Sequence, residues 1–170
     1  MTIKISIIGD THIKAFEELP DGILREIKNS DWVIHVGDYT FVDVLNGLIN
    51  LKGNEFIGVY GNADPQSIRD KVRSKEILEI SGKKIGITHP DSGGSSDITE
   101  SKVLTIFKNE NVDVIIYGHT HNPQILYKNS LLLINPGKGY LESIFYGSPT
   151  TMVILEIKDE IHSKIKVIKS

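Results

Sequence analysis

Hydrophobic positions along the chain follow two periodicities. Short runs rich in Ile and Val occur at Ile3–Ile8, Trp32–Val36, Phe56–Tyr60, Lys84–Thr88, Val112–Tyr117, Leu131–Ile134 and Met152–Ile157. Most are apolar at consecutive positions, which predicts strands buried on both faces. Between the early runs, Phe41, Val44, Leu45, Leu48 and Ile49 recur at i, i+3, i+4, i+7 and i+8, the stripe of an amphipathic helix. Strand and helix patterns in alternation indicate β-α-β units and an α/β fold.

The polar residues between these runs predict where elements begin and turn. Asp21 is placed to cap a helix running to Asn29, and Asp97 with Glu100 three residues on forms a capping-box start for a helix to Asn109. Asp64-Pro65 has the form of an N-cap followed by proline at the first helical position. Ser81-Gly82 and Lys128-Asn129-Ser130 separate paired apolar runs as hairpin turns, so the sheet in the second half is expected to be mixed. Residues 90–96, rich in Gly and Ser and directly after His89, are expected to form a mobile active-site loop. No internal repeat interrupts the pattern.

Composition narrows the classes of function. The 170 residues match the size of a single domain spanning 1–170. No apolar run approaches the roughly 20 residues of a membrane span. The first residues lack the basic flank and cleavage site of a signal peptide, so a cytoplasmic location and no membrane partner are expected. The absence of cysteine excludes disulfides, thiolate catalysis and thiolate metal sites. A net charge of -3 disfavours an extended nucleic-acid partner, which clustered Lys and Arg would hold. Exposed edge strands would allow a homodimer.

Metal-capable side chains follow the predicted strands one after another. Asp10 and His12 follow the first, Asp38 the second, Asn62 the third, His89 the fourth, and His119 with His121 the fifth. Parallel strands bring their carboxyl ends to one edge, where all seven can share a site. The i, i+2 pairs Asp10/His12 and His119/His121 should project to one side if the chain there is extended. Glycines at 9, 37, 61 and 118 would allow tight turns beside them. Taken singly, each residue has a plainer role: Asp38 can cap the helix beginning near Phe41, and His89 can simply end a strand. Four of the six histidines at strand ends make seven independent accidents a poor account. His35, inside a strand run, fits a satisfied core or supporting histidine better than a ligand, and His162, in the charged tail, fits the surface.

Gly9-Asp10-Thr11-His12, Gly37-Asp38, Gly61-Asn62-x-Asp64, Thr88-His89 and Gly118-His119-Thr120-His121 occur in order along the chain. In this arrangement the sequence resembles the calcineurin-like metallophosphoesterase superfamily, in its small prokaryotic phosphodiesterase branch; Ile134-Asn135-Pro136-Gly137 resembles a further element of that branch. The resemblance implies a four-layer α/β/β/α sandwich with two facing mixed sheets and a dinuclear centre. It implies that Asp10, His12 and His121 hold one metal, that Asn62, His89 and His119 hold the other, and that Asp38 bridges them. Asp10, Asp38, Asn62 and His119 are the residues expected to serve the chemistry directly. A His, Asp and Asn donor set suits two divalent transition ions, manganese foremost, with nickel, iron, cobalt or zinc as alternatives. Such a pair lowers the pKa of a shared water and stabilises attacking and leaving oxygens in an in-line displacement.

Two positions depart from the commoner family pattern. Ala63 stands where many members carry a histidine that assists the leaving group, which implies a preference for activated or strained diesters. Pro90 replaces the glycine that usually follows the ligand histidine and stiffens the entry to the loop. Lys138 is a weak candidate for substrate binding, a solvated turn lysine being the plainer reading. The expected function is hydrolysis of a small or cyclic phosphodiester. The alternatives are a phosphomonoesterase or nuclease with the same site, or a protein-interaction scaffold of retromer-subunit type, which the full ligand set disfavours.

Overall fold

The computed structural model describes residues 1–91, 95–141 and 147–169. The chain runs β1 (Ile3–Ile8), α1 (Asp21–Lys28), β2 (Trp32–His35), α2 (Val42–Lys52), β3 (Phe56–Gly58), α3 (Gln66–Arg69), β4 (Lys75–Ile80), β5 (Lys83–Thr88), α4 (Ser96–Phe107), β6 (Val114–Tyr117), β7 (Gln124–Lys128), β8 (Leu131–Asn135), β9 (Thr151–Ile157) and β10 (Ile161–Val167). Two five-stranded sheets form, in the orders β10-β9-β1-β2-β3 and β4-β5-β6-β8-β7. β1, β2 and β3 are parallel, as are β5, β6 and β8, and antiparallel strands complete each sheet. Both sheets are therefore mixed.

The consecutive apolar positions are explained by two buried faces. Ile5 and Ile7 of β1, Ile34 of β2, Val114 and Ile116 of β6, Leu132 and Ile134 of β8, and Val153, Leu155 and Ile157 of β9 meet in one core between the sheets. Their neighbours Ile8, Val33 and Met152 face outward against Ile23 and Ile27 of α1, Val44, Leu45 and Leu48 of α2, and Ile68 of α3. On the second sheet, Ile115, Tyr117 and Leu133 face outward against Val103 and Phe107 of α4. Helix, sheet, sheet and helix thus stack as the four-layer α/β/β/α sandwich. The central strands alternate their side chains between two apolar layers, so the period-2 signal vanishes from their sequence.

Several local expectations are corrected. His162 is exposed as expected, while the segment around it, not marked as a strand by its sequence pattern, pairs antiparallel with β9 as an edge strand (Ile161–Val167), with Lys164 and Val167 exposed and Ile161, Ser163 and Ile165 partly buried. Lysines on such an edge discourage pairing with another chain. Asp21 lies inside α1, whose N-cap is Pro20. α4 starts at Ser96 with Ser95 as N-cap, so Asp97 is helical; Glu100 accepts from Gln124 Nε2 at 3.1 Å and pairs with Lys128 at 2.6 Å instead of capping. The α2 stripe is narrower than expected, because Phe41 and Ile49 at its margins are exposed. Ser81 and Gly82 both take positive φ, at +50° and +73°, in the two-residue turn joining β4 to β5. Positive φ at both positions matches the twist of hairpin strands. Asn129 likewise has φ +55° between β7 and β8. Residues 92–94 of the expected mobile loop lie outside the described residues.

Candidate metal centre

All seven candidate side chains lie at the carboxyl ends of the parallel strands, beyond β1, β2, β3, β5 and β6. Asp10 is fully buried and Asp38 is 3% exposed. His121 Nε2 lies 3.2 Å from Asp10 Oδ1, and His12 Nε2 sits between the carboxylates, 3.9 Å from Asp10 Oδ1 and 3.6 Å from Asp38 Oδ2. His89 Nε2 lies 3.4 Å from Asp38 Oδ2 and 3.1 Å from Asn62 Oδ1, and His119 Nδ1 lies 3.0 Å from the same Asn62 oxygen. Two groups have ligand atoms all within 4.8 Å of one another: Asp10, His12 and His121, and Asp10, Asp38 and His89. Asp10 belongs to both, so it is as central as Asp38.

The backbone here is not extended. Asp10, His12, Asp38, His119 and His121 have φ of +46°, +43°, +59°, +89° and +60°, in the left-handed region that non-glycine residues seldom enter. Such conformations persist where the surrounding structure enforces them, and they gather at functional sites. His119 and His121 consequently part: the His119 ring meets His89 at 5.4 Å between centroids, while the His121 ring meets His12 at 5.2 Å. The expectation that an extended i, i+2 pair projects to one side fails for these two. Of the four nearby glycines, Gly37 alone takes a left-handed φ, +99°. Gly61 and Gly118 are required by close approach, since a Cβ on Gly61 would overlap Asp38 Oδ1 and one on Gly118 would lie 2.7 Å from His89 Nδ1.

The donor chemistry fits a cation. Asp10 Oδ1 and His12 Nε2 are buried without a hydrogen bond among the described residues; His121 approaches Asp10 Oδ1 in distance but not in hydrogen-bond geometry. His89 Nδ1 lies 2.8 Å from Val36 O, which can only accept, so Nδ1 carries a proton and donates. A neutral His89 then presents the Nε2 lone pair to two oxygens, a repulsive arrangement unless a proton or a metal ion supplies positive charge. Burial opposes ionisation of Asp10, but the imidazoles of His12 and His121 outweigh it and hold the carboxyl well below its usual range. Burial likewise opposes ionisation of Asp38, and His89 with the Ala63 amide reverses it. His121 is raised by Asp10 beside it, and His89 is raised by Asp38 and Asp10 against the effect of burial.

Residues behind the cluster hold it in place. Asp64 is not the cap of α3, whose N-cap is Pro65 and whose first residue is Gln66. It is 3% exposed and accepts the backbone N–H groups of Asp38, Thr40 and Gly61, each at 2.8 Å. Burial raises its pKa against those bonds. The Ala63 side chain is inert, yet its N–H donates to Asp38 Oδ1 at 2.8 Å. Asn135, fully buried at the end of β8, donates to Thr120 Oγ1 at 3.0 Å and accepts from the Gly137 N–H at 2.9 Å, tying the histidine loop to the second sheet. His35 is a core histidine: burial pushes it down to about 3. Its Nδ1 accepts from the Gly37 N–H at 3.1 Å, so Nε2 donates to Thr11 Oγ1 at 3.1 Å between Asp10 and His12. Lys138 is not a solvated turn residue; it is 5% exposed, with its ammonium 5.1 Å from the Tyr140 ring. That ring lies edge-on to His12 and His121.

Two stacked mixed sheets with clustered His, Asp and Asn at the ends of their parallel strands define a class of α/β/β/α proteins with a candidate metal centre. Residues 3–160 match the model of the calcineurin-like phosphoesterase superfamily domain, and the chain belongs to that superfamily of metal-dependent phosphoesterases. It is 35% identical to a probable metallophosphoesterase of Methanocaldococcus jannaschii, covering 96% of this chain and 81% of that one. It is 34% identical to a phosphodiesterase of the same organism, covering 84% and 89%. Among solved structures, a protein of Thermotoga maritima superposes with TM-score 0.73 at 29% identity, over 97% and 99% of the two chains. Vps29 of Entamoeba histolytica complexed with zinc shares the fold at TM-score 0.73 and 18% identity, over 98% and 100%. Among the described residues no helix is long and apolar enough to cross a membrane.

Proposed function

We propose that this chain is a phosphodiesterase for small or cyclic diesters, a single catalytic unit using two divalent ions, with manganese the preferred metal. Asp10, His12 and His121 would hold one ion, Asn62, His89 and His119 the other, and Asp38 would contact both. The observation that carries this reading is the pair of buried atoms Asp10 Oδ1 and His12 Nε2, without a hydrogen bond among the described residues, at the centre of that donor set. When bound, two such ions lower the pKa of a water and polarise the phosphoryl oxygens. The chain supplies the rest. The amides of Ala63 and His119 donate to Asp38 Oδ1 and Asp10 Oδ2, at 2.8 and 3.1 Å, and aim both carboxylates. Val36 O fixes the His89 tautomer so that Nε2 faces the site.

The preference for diesters with good or strained leaving groups rests on Ala63, whose exposed methyl group can neither give nor take a proton. The relative named a phosphodiesterase supports the same substrate class. The match to Vps29 concerns the fold and favours no scaffold role by itself. Metal content of the purified protein, followed by hydrolysis of bis(p-nitrophenyl) phosphate and p-nitrophenyl phosphate with Mn²⁺, tests the reading. The diester should be the better substrate, and Asp38→Ala should abolish metal-dependent turnover. Equal rates for Asp38→Ala and the parent would refute the assignment, and faster monoester turnover would refute the diester preference.

A further inference from the structure

We propose that the cleft beside the candidate metal centre, walled by Arg69 with its guanidinium over the Tyr60 ring, receives one planar ester arm of the substrate, of the aryl or nucleobase type. The inference rests on the phosphodiesterase reading and specifies the substrate class of that site. The cleft encloses about 390 Å³, and its lining includes Tyr60, Asn62, Arg69, Ser74, His89 and Asp91. Two of these, Asn62 and His89, belong to the donor cluster, so the cleft opens directly onto the place where a phosphoryl group would bind. Its volume lies in the range of small-molecule sites.

Arg69 is exposed but tethered by several contacts. Its Nε donates to Asp64 O at 2.8 Å, its Nη2 donates to Asn62 O at 3.2 Å, and its guanidinium carbon sits 4.9 Å from the centre of the Tyr60 ring. The guanidinium thus lies over the tyrosine ring, and Nη1 has no hydrogen-bond partner among the described residues. A planar cation fixed in this way offers a stacking surface for an aromatic ring together with unused N–H donors for a carbonyl or ester oxygen. The other cation of the cleft, Lys75, is engaged elsewhere, donating to Glu110 Oε1 at 3.0 Å and Ile106 O at 3.2 Å. Asp91 lies on the same cleft and disfavours a second anionic group there. A neutral planar arm satisfies both residues.

Binding of thymidine 5′-monophosphate and of methyl phosphate to the Mn²⁺-loaded protein, measured by calorimetry, separates the arm from the phosphoryl group. The parent protein should bind the nucleotide at least about tenfold more tightly than methyl phosphate, the scale of one stacked ring. Arg69→Gln should bring the two affinities together while changing methyl phosphate binding less than about twofold. Arg69→Lys, which keeps the charge and loses the plane, should not restore the preference. Equal affinities in the parent would overturn the proposal, as would a preference retained by Arg69→Lys. An equal loss for both ligands in Arg69→Gln would also overturn it, showing that Arg69 acts on the Gly61–Asp64 loop instead. Failure to hydrolyse any diester would refute the phosphodiesterase reading, while the two binding constants would still decide the role of the cleft.

Discussion

Asp64→Asn is the most informative single change. One carboxylate oxygen, Oδ2, accepts from the amides of Asp38 and Gly61, and Oδ1 accepts from the amide of Thr40, all at 2.8 Å in a buried site. Asparagine has a single acceptor oxygen. Placed at the Oδ2 position it keeps the first two bonds, but its NH₂ group then meets the Thr40 N–H, donor against donor. Losing one buried hydrogen bond and leaving two donors opposed costs about 2 kcal/mol. For a chain of this length that lowers Tm by roughly 4–8 °C. The Asp38 amide remains tethered, so Mn²⁺ affinity should fall less than in Asp64→Ala, which strips all three amides of their acceptor. Thermal unfolding of the metal-free proteins and calorimetric Mn²⁺ titration at low temperature measure the two effects separately. A Tm for Asp64→Asn within about 1 °C of the parent, or an Asp64→Ala variant with undiminished metal affinity, would refute the clamp.

Metal-free protein should lose stability as pH rises. His89 and His121 have pKa values raised above the ordinary 6.5, so their contribution is complete below 6.5 and disappears as pH climbs through the raised values. Urea midpoints of EDTA-treated protein at pH 6 and pH 9 check this, and a higher midpoint at pH 9 would contradict it. Because a metal competes with those protons, the gain in Tm on adding Mn²⁺ should grow over the same interval. Ala63→His should increase turnover of diesters with poor leaving groups more than of p-nitrophenyl diesters, read as the ratio of kcat/KM values; an unchanged ratio would count against the missing proton donor.

The strand pattern and the order of the motifs were legible along the chain because both are local. Ile and Val runs followed by Asp10, Asp38, Asn62, His89 and His119 locate the elements and the chemistry that follows them. Asp64 and Glu100 were misread as helix caps because cap signals depend only on neighbours in sequence, whereas their bonds run to Asp38, Thr40, Gln124 and Lys128. β10 escaped notice because an edge strand needs only one apolar face, and its lysines masked a weak alternation. The Lys138 turn was misjudged since burial depends on what packs over it.

By itself, the sequence determined the α/β class, the absence of thiol chemistry, and the seven side chains fit for metal binding, since residue type and local period suffice for these. Only the tertiary structure decided that five of those residues adopt left-handed φ, that His119 and His121 separate toward His89 and His12, and that Asp10 is as central as Asp38. It also decided that the Arg69 guanidinium lies over the Tyr60 ring beside Asn62. These features arise where strand ends of two stacked sheets converge, and contacts between strands far apart in the chain leave no periodic trace in the order of its residues.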